Sequence, residues 1–70
     1  MNNDLRTRRE AADLSQADLG EAVGVSRQTI NSIERGRYDP SLELAFELAS
    51  YFDASIEAIF TPDIDDEGGQ

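Results

Sequence analysis

Leu14 to Gly36 read LSQADLGEAVGVSRQTINSIERG, and the spacing of serines, glycines and branched apolar residues in this stretch decides the fold. Ser15 has Asp18 three residues on. Its hydroxyl can accept from the amides of the next turn while the Asp18 carboxylate reaches back, an S-x-x-D capping box that opens a helix. Ala17, Leu19, Ala22 and Val23 continue that helix, and Gly24 closes it, because a residue without Cβ takes the left-handed conformation of a helix C-terminus at no steric cost. Val25 bridges to Ser26, a second cap residue. A further helix then runs from Arg27 to Arg35 with Ile30 and Ile33 on its inner side, and Gly36 ends it.

The flanking sequence extends the same pattern. Upstream, a helix from about Asp4 to Ala12, capped by Asn2 or Asn3, presents Leu5, Arg8, Arg9 and Ala12 at helical spacing. Downstream, Arg37-Tyr38-Asp39-Pro40 reads as a loop, since proline disfavours helix at the residue before it. Ser41 caps a fourth helix from Leu42 to about Phe52 that is apolar on two sides, with Leu42, Ala45, Phe46 and Ala49 on one and Leu44, Leu48 and Tyr51 on the other. A helix apolar on two faces is central or faces a partner. Ser55 caps a fifth helix in which Ile56, Ile59 and Phe60 share a face, and Thr61-Pro62 ends it. No segment alternates apolar and polar residues as a strand requires. The expected architecture is all-α: a five-helix domain over residues 1–61, its central unit at about 15–35, followed by an acidic disordered tail over 62–70.

Seventy residues without cysteine make one domain, with neither a disulfide nor a zinc spacing to staple it. Pairing with a second copy is therefore expected. No stretch approaches the roughly 20 apolar residues of a membrane span, and MNNDLRTRRE has no apolar run after its charges. A soluble, cytoplasmic protein without membrane contact is expected. Fifteen acids stand against six bases, all of them arginine. Residues 1–37 hold all six bases and six acids, whereas residues 38–70 hold nine acids and no base. That asymmetry suits a first half that faces a polyanion and a second that faces solvent. The lysine-free acidic surface also matches a halophilic, salt-adapted origin.

Two capped helices joined through a glycine and one apolar residue make a helix-turn-helix unit, whose second helix enters the DNA major groove. Leu19, Val23, Val25, Ile30 and Ile33 wedge the helices, and Gly20 is small where they approach. Arg27, Gln28, Asn31, Ser32 and Arg35 lie opposite the apolar side. These residue types suit base edges, arginine on guanine and glutamine or asparagine on adenine. From about residue 3 to 60, the runs LSQADLGEAVGV, SRQTINSIERG, YDPSLELAFELA and SIEAIF resemble the repressor/Cro-like family of helix-turn-helix regulators, also called the xenobiotic-response-element family. The resemblance implies phosphate contact by Gln16 and base reading by positions Ser26, Arg27, Gln28 and Ser32. It places Arg35, Arg37 and Tyr38 near the DNA backbone and implies a structural pair between Arg9 and Glu34. The acidic second half and the absence of lysine depart from the family pattern and leave fewer groups for phosphate.

Plainer readings stand beside these. Arg35 sits near a helix C-terminus, where a cation is favourable in any protein, and Tyr38 can simply pack over its loop. Arg6 and Arg8 read as surface charges answering nearby acids, and Arg6 is left out of the candidate site. Leu44, Leu48 and Tyr51 are core or a dimer seam, and Ile56, Ile59 and Phe60 close the monomer or join a dimer. The leading function is that of a sequence-specific regulator of double-stranded DNA acting as a homodimer. The rival from another class is an antitoxin or adaptor that binds a protein partner along its acidic half. Catalysis is disfavoured: there is no histidine or cysteine, no glycine-rich phosphate loop, and no metal or cofactor signature.

Overall fold

Four serines start four of the five helices. In the computed structural model, which describes residues 2–61, Ser15, Ser26, Ser41 and Ser55 all sit in extended backbone. Their side-chain oxygens accept from the amides of Asp18, Thr29, Leu44 and Ala58, each three residues on. They open α2 (Gln16–Val23), α3 (Arg27–Glu34), α4 (Leu42–Tyr51) and α5 (Ile56–Ile59), which follow α1 (Leu5–Ala11). The capping box of α2 is complete, with the Ser15 amide donating to the Asp18 carboxylate at 3.2 Å. At α1 the N-cap Asp4 makes no side-chain cap. Instead Asn3 Oδ1 accepts from the Leu5 amide at 3.0 Å, so the helix starts one residue later than the sequence suggests.

Four helix ends share one backbone device; after α2 the Val25 amide donates to the Gly20 carbonyl at 2.8 Å around the left-handed Gly24. Leu14 donates to the Arg9 carbonyl at 3.1 Å after α1, Arg37 to Ser32 at 2.9 Å after α3, and Ala54 to Ala49 at 2.9 Å after α4. This wrap satisfies carbonyls that the helix leaves open and needs a left-handed residue inside it. Gly36 supplies it after α3 with φ 75°, but after α1 and α4 the residue is Asp13 (φ 63°) and Asp53 (φ 55°). Aspartate is among the few L-residues that visit this region with any frequency.

The core is built from Leu5 of α1, Leu19 of α2, Ile30 and Ile33 of α3, Leu44, Ala45, Leu48 and Ala49 of α4, and Ile59 with Phe60. The two-sided α4 thus divides differently from its sequence stripes. Leu44 and Leu48 belong to the core, whereas Leu42, Phe46 and Tyr51 are 69%, 59% and 45% exposed. Ile59 and Phe60 close the monomer, while Ile56 packs at its edge, partly buried.

One feature departs from the all-helical expectation. Asn2–Asn3 (β1) pairs antiparallel with Phe60–Thr61 (β2), Asn2 opposite Thr61 and Asn3 opposite Phe60, and the Asp4 amide donates to the Ile59 carbonyl at 3.0 Å. Phe60 therefore leaves α5 in extended conformation, 4% exposed. Two-residue strands are too short to show as alternation, and the protein remains an all-α, five-helix fold. The tail expected over 62–70 lies outside the described residues.

Candidate nucleic-acid interface

The angle between α2 and α3 is set by backbone as much as by side chains. Leu19, Ile30 and Ile33 are buried between them, and Val23 and Val25 pack against that cluster. The Val25 amide donates to the Gly20 carbonyl at 2.8 Å, and Gly24 takes φ 81°. A Cβ on Gly20 would lie 2.6 Å from the Val25 carbonyl oxygen and 3.1 Å from that of Ser26. The close approach is therefore between α2 and the turn itself. The turn cannot move without moving the first residue of α3.

With Ile30 and Ile33 fixed inward, helical periodicity turns Arg27, Gln28 and Arg35 outward, and all three are exposed. Asn31 and Ser32 are half-buried on opposite flanks. Asn31 borders a recess with Arg6, Arg9, Gln16, Glu34 and Arg35. Ser32 borders another with Ser26, Gln28, Thr29 and Tyr38. Arg37 and Tyr38 are exposed just beyond α3. Ser26 is already engaged: its Oγ caps Thr29 at 3.1 Å and lies 3.0 Å from Thr29 Oγ1.

A buried polar network holds the first flank. Arg9 Nε donates to Glu34 Oε2 at 2.6 Å, and its second contact reaches Oε1 at 3.3 Å. The two side chains are 11% and 4% exposed. The hydrogen bond to Glu34 raises the Arg9 pKa, outweighing the opposing effect of burial, so the guanidinium stays charged. Arg9 also donates to the Leu14 carbonyl at 2.7 Å, which ties α1 to the start of α2. Gln16 Nε2 donates to Glu34 Oε1 at 3.0 Å, and Asn31 Nδ2 approaches Gln16 Oε1 at 3.5 Å. Gln16 is thus half-buried and partly committed inward. That was not legible in sequence, and neither was the 2.8 Å bond from Asn3 Nδ2 to the Ile33 carbonyl at the end of α3.

The arginines fall into two groups. Those of α1 are paired: Arg6 with Glu10, Arg8 with Asp4 and Arg9 with Glu34. Among the described residues, Arg27, Arg35 and Arg37 form no ion pair with a carboxylate, although the chain carries fifteen acids. Unpaired cations therefore collect on α3 and just after it. No group of side chains among the described residues is placed to hold a metal ion, and no helix there is long and apolar enough to cross a membrane.

Comparison with known proteins places this geometry. An uncharacterised helix-turn-helix-type transcriptional regulator of Methanocaldococcus jannaschii is 53% identical over 60 residues, covering 86% of this chain and 91% of its own length. The P22 c2 repressor, solved in complex with a synthetic operator, superposes with a TM-score of 0.73 at 34% identity, covering 76% of this chain and 80% of that one. The restriction-modification controller protein C.AhdI of Aeromonas hydrophila gives 0.72 at 34% identity, with 80% and 85% covered. The fold also matches a minor part of a longer protein, the hydroxypropylphosphonic acid epoxidase of S. wedmorenis: TM-score 0.73, 29% identity, 89% of this chain but 35% of that one. A family model described as helix-turn-helix matches residues 5–59. The chain belongs to the helix-turn-helix family of transcriptional regulators.

Proposed function

We propose that the protein binds double-stranded DNA sequence-specifically as a homodimer, each subunit placing α3 in the major groove, and that it regulates transcription without catalysis. The observation that carries this reading is the set of unpaired, exposed arginines on and after α3, beside Gln28 and Ser32, in a protein of net charge −9. Leaving cations unpaired among so many acids makes physical sense when a polyanion takes them up. Arg27 and Gln28 carry base reading, and Arg35, Arg37 and Tyr38 meet the backbone. Gln16, at the first turn of α2, offers phosphate the N–H that Glu34 does not use. Such contacts weaken as salt rises, because each neutralised phosphate releases counterions.

The test is selection from a random duplex library at moderate and high salt. The wild type is expected to recover one palindromic site with half-sites about one helical turn apart. The Arg27→Ala, Gln28→Ala double variant should lose it, with affinity falling about a hundredfold or more, since each bidentate base contact supplies about 1–3 kcal/mol of discrimination. Recovery of the same site by the variant would remove α3 from base reading.

The dimer contact is assigned to α4 and α5, where exposed Leu42 and Phe46 line an apolar groove with Ala49, Ala54 and Ile56. Phe46→Glu is expected to halve the mass in analytical ultracentrifugation and to weaken binding to the palindrome at least about tenfold, while the monomer keeps its helical circular dichroism and melts lower, because the stabilisation from pairing is lost. A Phe46→Glu protein that remains dimeric would move the interface elsewhere. The acidic second half of the chain is also the surface that an antitoxin or adaptor would offer a protein partner. Absence of any enriched DNA site, together with a copurifying protein, would favour that reading.

A further inference from the structure

We infer that the recess between α1, α2 and α3 is a phosphodiester-binding site on the flank of the base-reading face, and that Arg6 is its exchangeable cation, held by Glu10 until DNA displaces the carboxylate. The inference rests on the DNA-binding reading above and extends it to a residue that sequence alone assigns to surface charge.

The recess has a volume of about 390 Å³ and is lined by Arg6, Arg9, Gln16, Asn31, Glu34 and Arg35, three guanidinium groups against one carboxylate. Its charge sets it apart from three other recesses among the described residues. The groove of α4 and α5 contains Glu57 and no base, the recess between α2 and α4 contains Glu43 and Glu47 and no base, and the recess beside Tyr38 contains no charged residue. Arg9 and Glu34 neutralise one another at 2.6 Å. Arg35 therefore leaves the recess net positive, and Arg6 adds to that charge once it parts from Glu10.

The inner wall is fixed in a polarity that suits an anion. An ionised carboxylate only accepts hydrogen bonds, so Glu34 turns the Gln16 amide nitrogen toward itself, and the Gln16 carbonyl is left to face Asn31. Each of these amides keeps one N–H uncommitted. Two guanidinium groups with amide donors between them match the oxygens of a backbone phosphate, which positions the protein and carries no sequence information.

Arg6 is free to exchange. It meets Glu10 at 3.0 Å with side chains 71% and 55% exposed, and such pairs between exposed residues contribute little. A backbone phosphodiester carries the same single charge as the carboxylate, but it stands in the dense charge of the duplex and offers two oxygens to the planar guanidinium, so it competes well for the same group. Glu10 then acts as an intramolecular competitor for the DNA.

Affinity for the selected operator, measured against salt for four variants, tests this. Arg6→Gln is expected to weaken binding to all sequences alike, about tenfold at moderate salt, and to make the slope of log K against log salt shallower by about 1. Arg6→Lys should retain the slope, because the charge remains. Glu10→Gln should strengthen binding roughly twofold, and that gain should vanish in the Arg6→Gln, Glu10→Gln double variant. Thermal melts run alongside are expected to stay near wild type, since neither side chain is buried. An unchanged slope and affinity in Arg6→Gln would overturn the inference, as would a Glu10→Gln gain that persists without Arg6 and so reflects net charge alone. If the wild type recovers a site that the Arg27, Gln28 variant loses while Arg6→Gln behaves as wild type, the phosphate site falls and the DNA-binding reading stands. Failure of the wild type to recover any site removes both.

Discussion

Replacing Glu34 with alanine is expected to leave much of the population unfolded at 25 °C, with a loss of about 3–5 kcal/mol, the usual consequence of removing one partner from a buried ion pair. A 70-residue domain without disulfides has on the order of 5 kcal/mol in total. The size of the effect follows from what is left behind. Arg9 would remain charged at 11% exposure with its acceptor gone, and the Gln16 amide would lose its partner at the same time. Glu34 also joins three elements, since its two oxygens receive Arg9 from α1 and Gln16 from α2 while its backbone ends α3. Because the pair is shielded from solvent, salt screens it far less than the exposed pairs of α1. Urea unfolding followed by circular dichroism at two salt concentrations measures this. The expected result is a large drop in midpoint at both. An Arg9→Met, Glu34→Leu double variant should recover part of the loss, because no uncompensated charge is then buried. A Glu34→Ala protein within about 1 kcal/mol of wild type would mean that the pair contributes no more than a surface contact.

This network marks the border of what the sequence reveals. The caps are legible because they are local: a serine and the amide three residues on lie within one turn, so Ser15, Ser26, Ser41 and Ser55 locate four helices without knowledge of the rest. The outward position of Arg27, Gln28 and Arg35 is legible for the same reason, since Ile30 and Ile33 fix the inner side of α3. Contacts across the chain leave no such trace. Asn3 to Ile33, Gln16 to Glu34 and the β1–β2 pairing join residues that no periodicity connects. The split of α4 is also a tertiary matter. Its pattern shows two apolar sides, but only packing decides that Leu44 and Leu48 go inward while Leu42 and Phe46 remain outside. Asp13 and Asp53 are hidden differently: left-handed backbone favours glycine, and an aspartate there looks like any surface acid until its φ is known. Only family resemblance points to the Arg9–Glu34 pair, because spacing within the chain gives no reason to join residues so far apart.

Gly20→Ala is expected to reverse the ordinary effect of that substitution. In an exposed helix interior alanine stabilises by about 1 kcal/mol over glycine, yet here the added methyl would sit 2.6 Å from the Val25 carbonyl oxygen and 3.1 Å from that of Ser26. These are backbone atoms of the turn and cannot rotate aside. The turn is pinned by the Val25 amide on the Gly20 carbonyl, and Ser26 is committed as the cap of α3. Relief requires the turn to move away from α2, opening the contact that buries Leu19 against Ile30 and Ile33. Overpacking of this kind costs about 1–3 kcal/mol, and a net loss of about 2 kcal/mol is expected in urea unfolding. DNA binding should suffer beyond that loss, because a shift of about 1 Å at the first turn of α3 spoils base contacts that depend on geometry. Among molecules that remain folded, affinity for the selected site is expected to fall about tenfold or more. Gly24→Ala is the matched comparison: nothing lies within 4 Å of its Cβ, but φ is +81°, so it should lose about 1 kcal/mol through conformation alone while folded molecules bind DNA nearly as the wild type does. Equal binding defects in the two variants would show that the turn tolerates displacement, and that Gly20 does not set the pose of the recognition helix.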